Sequence, residues 1–140
     1  MPDSPDRFGG LLATDQYQLA MAQVYWKEGL ADRNAQFDYF FRRYPDYGNH
    51  QAGYCIAAGL GWLVEWMERV RFESEDLELL ASQESIAGVK RFDRGFLEWL
   101  SEHGDLSAVT VEAVPEGRVV HANAPVAVVR GPLAMTQPGL

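Results

Sequence analysis

Asp15 and Tyr17 stand within one turn of backbone near the start of the chain, in the stretch TDQYQLAMAQVYWKEG. A carboxylate and an aromatic ring at a helix N-terminus allow two chemistries. Asp15 can cap the free backbone N–H groups while Tyr17 packs into a core. Alternatively, the ring can stack on a flat aromatic ligand at an end of the helix that also attracts anions. Residue types and spacing leave both open. Arg42 and Arg43 form a second candidate pair, able to bind phosphate or carboxylate bidentately or simply to sit solvated at a strand end.

The remaining reactive side chains give weaker signals. His50, His103 and His121 lie far apart, with no His-x-x-x-His or Glu-x-x-His pair on a helix, so no metal site is expected. His103 reads as a cation at a helix C-terminus, and His121 as a partly exposed strand residue. Cys55 is the only cysteine; it lies near an expected helix start but without a partner base, and reads as a buried structural residue. A lone thiol excludes an internal disulfide. AAGLG at 57–61 lacks the lysine and spacing of a phosphate loop. Glu73, Glu75, Asp76 and Glu78 read as helix N-terminal charge.

The elements that must position these residues follow from periodicity. A helix is predicted over 14–29, with Asp15 and Gln18 spaced for a capping box and Gly29 as its stop. Its apolar residues go most of the way round the cylinder, which predicts burial. Residues 35–44 alternate with period two and read as a strand ended by Pro45, with Phe40 interrupting the polar face. Steps of three and four residues predict a helix over 53–71, in which Gly59 and Gly61 would serve close packing or close approach. Ser74 is the expected N-cap of a short helix to about Ser82; a polar loop follows, and then a helix over 92–102 that buries Phe92, Phe96, Leu97, Trp99 and Leu100. The runs 108–114, 118–122 and 125–131 predict a β-meander, with Pro115-Glu116-Gly117 as its first turn.

The order is helix, strand, three helices, then strands, which gives an α+β class. The 140 residues suit one domain, with residues 1–10 a loose tail, 11–132 the domain and 133–140 a trailing end. A formal net charge of −8 argues against nucleic acid as a partner. The start lacks the layout of a signal peptide and no apolar run is long enough to span a bilayer, so a cytoplasmic protein is expected.

Taken in order, TDQYQLAMAQVYWKEG, AQFDYFFRRYP, GYCIAAGL, FESEDLELL, VPEGRVV and NAPVAVVRGP resemble the N-terminal part of nicotinate phosphoribosyltransferases, over about Leu12 to Pro132. Those enzymes join nicotinate to phosphoribosyl pyrophosphate, giving nicotinate mononucleotide and pyrophosphate, an entry step to NAD. They couple this to ATP hydrolysis through a transiently phosphorylated histidine.

The resemblance implies a helical and β-sandwich-like N-terminal domain of a type II phosphoribosyltransferase. The α/β barrel that carries the histidine and most of the pocket is expected to lie outside this chain, with residues 133–140 its truncated start. It also implies a homodimer in which the opening helix of one subunit reaches the partner's site. There Tyr17 would stack on the pyridine ring, with Asp15 as a cap or positioning group; Arg42 and Arg43 stay candidate substrate contacts from their residue types alone. ATP and Mg²⁺ are implied for the full-length enzyme, and none is expected to bind this chain alone. None of the three histidines matches the phosphorylated one, so the chain is expected to be catalytically incomplete. Two other readings stand beside this one: a free-standing module that dimerises or holds a small aromatic ligand, and a portion of a nicotinamide-using relative.

Overall fold

The computed structural model describes residues 10–138. Residues 1–9, most of the expected tail, and residues 139–140 lie outside the described residues. The elements in chain order are α1 (Gln16–Lys27), β1 (Asn34–Tyr39), β2 (Cys55–Ile56), α2 (Leu60–Met67), α3 (Ser74–Ser82), α4 (Arg94–His103), β3 (Thr110–Ala113), β4 (Val119–Val120), β5 (Ala127–Pro132) and α5 (Leu133–Thr136). The α+β class stands.

One core is built where the helices meet. Leu19 and Ala22 of α1, Leu80 of α3, Phe96 and Leu100 of α4, and Ala134 and Met135 of α5 are buried together. The helix α4 follows its sequence signals closely: Asp93 caps it by accepting from the Gly95 N–H at 2.9 Å, and Phe92, Phe96 and Leu100 are buried. Lys27, in the last turn of α1, reaches the Asp93 carboxylate at 3.4 Å and ties the two helices at their ends. For α3 the cap is Glu73 rather than Ser74. Its N–H donates to Asp76 Oδ2 at 3.0 Å, so the acidic cluster holds the helix start instead of only solvating it.

Two expectations about strands are corrected. The final three β runs do not form a meander. In a three-stranded antiparallel sheet of order β1-β5-β3, β5 is central, with Phe37 opposite Val129 and Val111 opposite the same residue from the other side. The middle run supplies β4, which leaves that sheet and pairs antiparallel with β2, Cys55 opposite Val120. Pro115 and Pro125 flank this excursion; neither carries the N–H that would continue a ladder with its neighbours. β1 ends at Tyr39, five residues before the expected Tyr44. Phe40 therefore lies beyond the strand, not on its polar face.

The helix expected over 53–71 is also shorter. Residues 55–56 are strand, and Gly59 sits at φ 98°, a left-handed conformation that separates β2 from α2. The apolar period that suggested a longer helix arises because Ile56 falls in phase with Leu60 and Leu63 by accident of spacing. A Cβ at Gly59 or Gly61 would meet nothing within 4 Å, so neither serves close packing. At the C-terminal end, residues 133–136 do not trail: α5 turns under the sheet, with Ala134, Met135 and Thr136 buried and Thr136 Oγ1 donating to the Pro132 carbonyl at 2.8 Å. Between α4 and β3, Ser107 gives Asp105 Oδ1 both its hydroxyl, at 2.6 Å, and its N–H, at 2.9 Å. These bonds hold the Asp105 carboxyl below the ordinary aspartate range, the hydroxyl contributing most.

Candidate functional site

Asp15 and Tyr17, at the start of α1, are exposed. Asp15 occupies the N-cap position, but its carboxylate makes no capping bond. The expected capping box fails because Gln18 is used elsewhere: its Oε1 accepts from Gln137 Nε2 at 2.9 Å, and its own Nε2 donates to the Tyr17 hydroxyl at 3.3 Å. Asp15 instead lines a groove of about 510 Å³ together with Leu11, Thr14, Gln18, Leu63 and Trp66. Tyr17 does not line this groove. The structure thus separates the two candidate residues, with the carboxylate beside the groove and the ring on the outer face.

That outer face overturns the expectation of a well-buried helix. Only Leu19 and Ala22 of α1 are buried, whereas Tyr17 is 57%, Met21 37% and Val24 54% exposed. Their spacing of four and three residues places them along one side of the helix. The flanks of that side are held firmly. Tyr25 donates to Gln137 Oε1 at 2.8 Å, Gln16 Nε2 donates to Gln83 Oε1 at 2.6 Å, and Arg91 donates to Gln16 Oε1 at 3.1 Å. A rigid helix with an exposed ring at its first turn can offer a π-face at little ordering cost. The core reading of Tyr17 is removed by its exposure.

Arg42 and Arg43 follow β1 in a bend and are both exposed. Neither takes part in any of the ion pairs among the described residues, which use Lys27, Arg69, Lys90, Arg94 and Arg130. The structure shows no contact between this pair and Tyr17. His103 lies in the last turn of α4, its Nδ1 3.1 Å from the Trp99 carbonyl and its ring stacked on Trp99. His50 pairs locally with Asn49. His121 lies one residue past β4, with its Nδ1 3.0 Å from the Tyr44 hydroxyl, a contact across 77 residues that no sequence spacing announced.

Glu116 is the residue that the sequence reading missed. Its Oε1 accepts from the Gly59 N–H at 2.8 Å and from the Gly61 N–H at 3.3 Å. A carboxylate from the turn 115–117 thereby caps α2, as the positive end of a helix dipole favours. The exposed carboxylate supplies the cap that no local residue of 57–61 can. The signal lay in two glycine N–H groups at a helix start without a local acceptor and a lone acid in a distant turn. Replacing Glu116 with alanine is expected to cost about 1 kcal/mol by urea denaturation, with Glu116→Gln retaining part of it.

Cys55, expected buried at a helix start, is instead half-buried, pairs in β2 and lines a groove of about 690 Å³ with Tyr39, Phe41, Trp62, Val111 and Val129. Glu116 is the one acid of that lining, and its Oε1 is committed to the α2 N–H groups. Among the described residues no group of three His, Cys, Asp or Glu side chains could hold a metal ion. No helix of the described residues is long and apolar enough to cross a membrane.

Comparison with known proteins gives one consistent result. Residues 12–138 match the family described as the nicotinate phosphoribosyltransferase (NAPRTase) N-terminal domain. A nicotinate phosphoribosyltransferase of Mycobacterium tuberculosis is 37% identical over 128 residues, covering 91% of this chain and 25% of the relative. The human nicotinate phosphoribosyltransferase is 38% identical over 126 residues, covering 90% of this chain and 22% of the relative. The crystal structure of human nicotinic acid phosphoribosyltransferase superposes with a TM-score of 0.72 at 38% identity, covering 89% of this chain and 23% of that one. The chain thus spans about a quarter of the length of these relatives.

Proposed function

We propose, from the premise that this chain belongs to the nicotinate phosphoribosyltransferase family and matches its N-terminal domain, that it acts as the ring-presenting domain of such an enzyme. The reaction joins the pyridine nitrogen of nicotinate to ribose C1 of phosphoribosyl pyrophosphate as the bond from C1 to the pyrophosphate oxygen breaks. The observation that carries this reading is the exposure of Tyr17 on an otherwise anchored helix.

In a homodimer, Tyr17 stacks on the pyridine ring in the partner subunit's pocket, and the exposed Met21 and Val24 cover the approach. Asp15 acts as a positioning group rather than a direct contact, since its carboxylate would repel that of nicotinate. Arg42 and Arg43 meet an anionic group of the substrates.

ATP coupling and Mg²⁺ belong to parts of the enzyme other than these residues. The glycine N–H groups at the start of α2, the arrangement nearest to a phosphate cradle, already hold Glu116. On this reading the chain completes a site whose catalytic groups lie elsewhere in the enzyme.

The test exchanges residues 12–138 for the matched quarter of a full-length relative and supplies nicotinate, phosphoribosyl pyrophosphate, ATP and Mg²⁺. The folded chimera is expected to form nicotinate mononucleotide, and the isolated chain none. Turnover by the isolated chain, or a cooperatively melting chimera without turnover, would overturn the reading.

A further inference from the structure

The segment between β1 and the turn-rich stretch 46–53 is an arch, pinned at both ends onto the turn that follows β4. At its first end, Val126 donates to the Tyr39 carbonyl at 2.8 Å and Asn123 to the Phe41 carbonyl at 2.8 Å. At its second, the Tyr44 hydroxyl shares a 3.0 Å hydrogen bond with His121 Nδ1. The Tyr44 ring stands edge-on to His121, with centroids 6.4 Å apart, and Phe41 packs edge-on to Tyr44 at 5.7 Å. Ala52 also donates to the Pro45 carbonyl at 2.9 Å, closing the arch behind Tyr44. Arg42 and Arg43 form its crown, with exposed side chains that take part in none of the ion pairs among the described residues. In a chain of net charge −8, two adjacent guanidinium groups outside the ion pairs of the described residues concentrate positive charge at one place.

We propose that Tyr44 and His121 are positioning residues that hold the Arg42–Arg43 crown in place for bidentate capture of a phosphoryl group. The proposal rests on the reading of Arg42 and Arg43 as anion contacts given above. Its physical basis is entropic. A guanidinium fork is itself planar and preorganised, but two neighbouring forks converge on one anion only if the backbone between them is fixed. The Tyr44–His121 bond fixes one end of that backbone and Asn123 fixes the other. Neither Tyr44 nor His121 needs to touch the anion.

The test uses the ¹⁵N-labelled chain with Tyr44→Phe, His121→Ala and both together. Backbone order parameters at Arg42 and Arg43 are expected to fall from the rigid range near ~0.85 toward the mobile range below ~0.6 in each single variant. They should fall no further in the double variant, because each change removes the same bond. The β1–β5 amides should be unaffected. Titration with inorganic pyrophosphate is expected to show about fivefold weaker binding in each single variant, and loss of binding in an Arg42→Ala, Arg43→Ala chain that melts at the wild-type temperature. Unchanged order parameters, or effects that add in the double variant, would overturn the positioning role. If the order parameters fall as expected but wild type and the arginine variant respond identically to pyrophosphate, the anion-contact reading fails instead, with the strut itself left standing.

Discussion

Replacing Phe96 with alanine is expected to remove about 3–5 kcal/mol of stability, a large share of what a domain of this size possesses. Phe96 is fully buried. Its ring lies 6.0 Å from Trp26 of α1, 6.3 Å from Phe92 and 6.0 Å from Trp99. The cavity left by the ring would be walled by three stiff aromatic side chains that cannot collapse into it, which places the cost toward the upper part of the range. The same stack joins α1 to α4, so the loss should extend to the seating of α1. Urea denaturation of wild type and Phe96→Ala gives the difference directly. A loss under about 1.5 kcal/mol would mean that the two helices are held together by something other than this aromatic cluster.

Gly104→Ala is the second large effect. Gly104 closes α4: its N–H donates to the Leu100 carbonyl at 2.8 Å, and its own carbonyl accepts from Phe72 at 2.8 Å. A Cβ at this position would fall on the Leu100 carbonyl oxygen and within 2.7 Å of Phe72 Cδ2. Backbone on one side and a buried ring on the other leave no flexible tip to give way, so the last turn of α4 must open. The expected cost is about 1–3 kcal/mol. Hydrogen exchange should locate it, with protection lost at residues 100–104 and at Phe72 before it is lost in β5. Wild-type stability in Gly104→Ala would contradict this geometry.

What could be read from the sequence was local. The helix α4, the stop at Gly29 and the left-handed turn residue Gly117 depend on neighbours within a few positions, and the structure places Gly29 at φ 69° and Gly117 at φ 81°. What could not be read was long-range pairing. β2 is two residues long and falls in phase with the period of the helix after it, so Cys55 and Ile56 looked helical. β4 finds its partner more than 60 residues earlier, and no turn signal reveals that. Glu116 was legible only as part of a turn, because the N–H groups it caps are 57 and 55 residues away. The α1 face shows a different kind of limit. Tyr17, Met21 and Val24 are apolar like the buried residues beside them. Periodicity cannot tell a face covered by its own chain from one left for another molecule.

That face is where the central claim is tested most directly. In the chimera that carries residues 12–138 within a full-length relative, the KM for nicotinate should be compared between wild type, Tyr17→Phe and Tyr17→Ala, alongside their melting temperatures. The account predicts a KM about 10-fold higher for Tyr17→Ala, from loss of a stacking contact of about 1–1.5 kcal/mol. It predicts near wild-type behaviour for Tyr17→Phe, which keeps the ring, and a change in Tm of less than about 2 °C for both, since an exposed ring holds little of the fold. An unchanged KM in Tyr17→Ala, or a fall in activity that tracks a large drop in Tm, would contradict it.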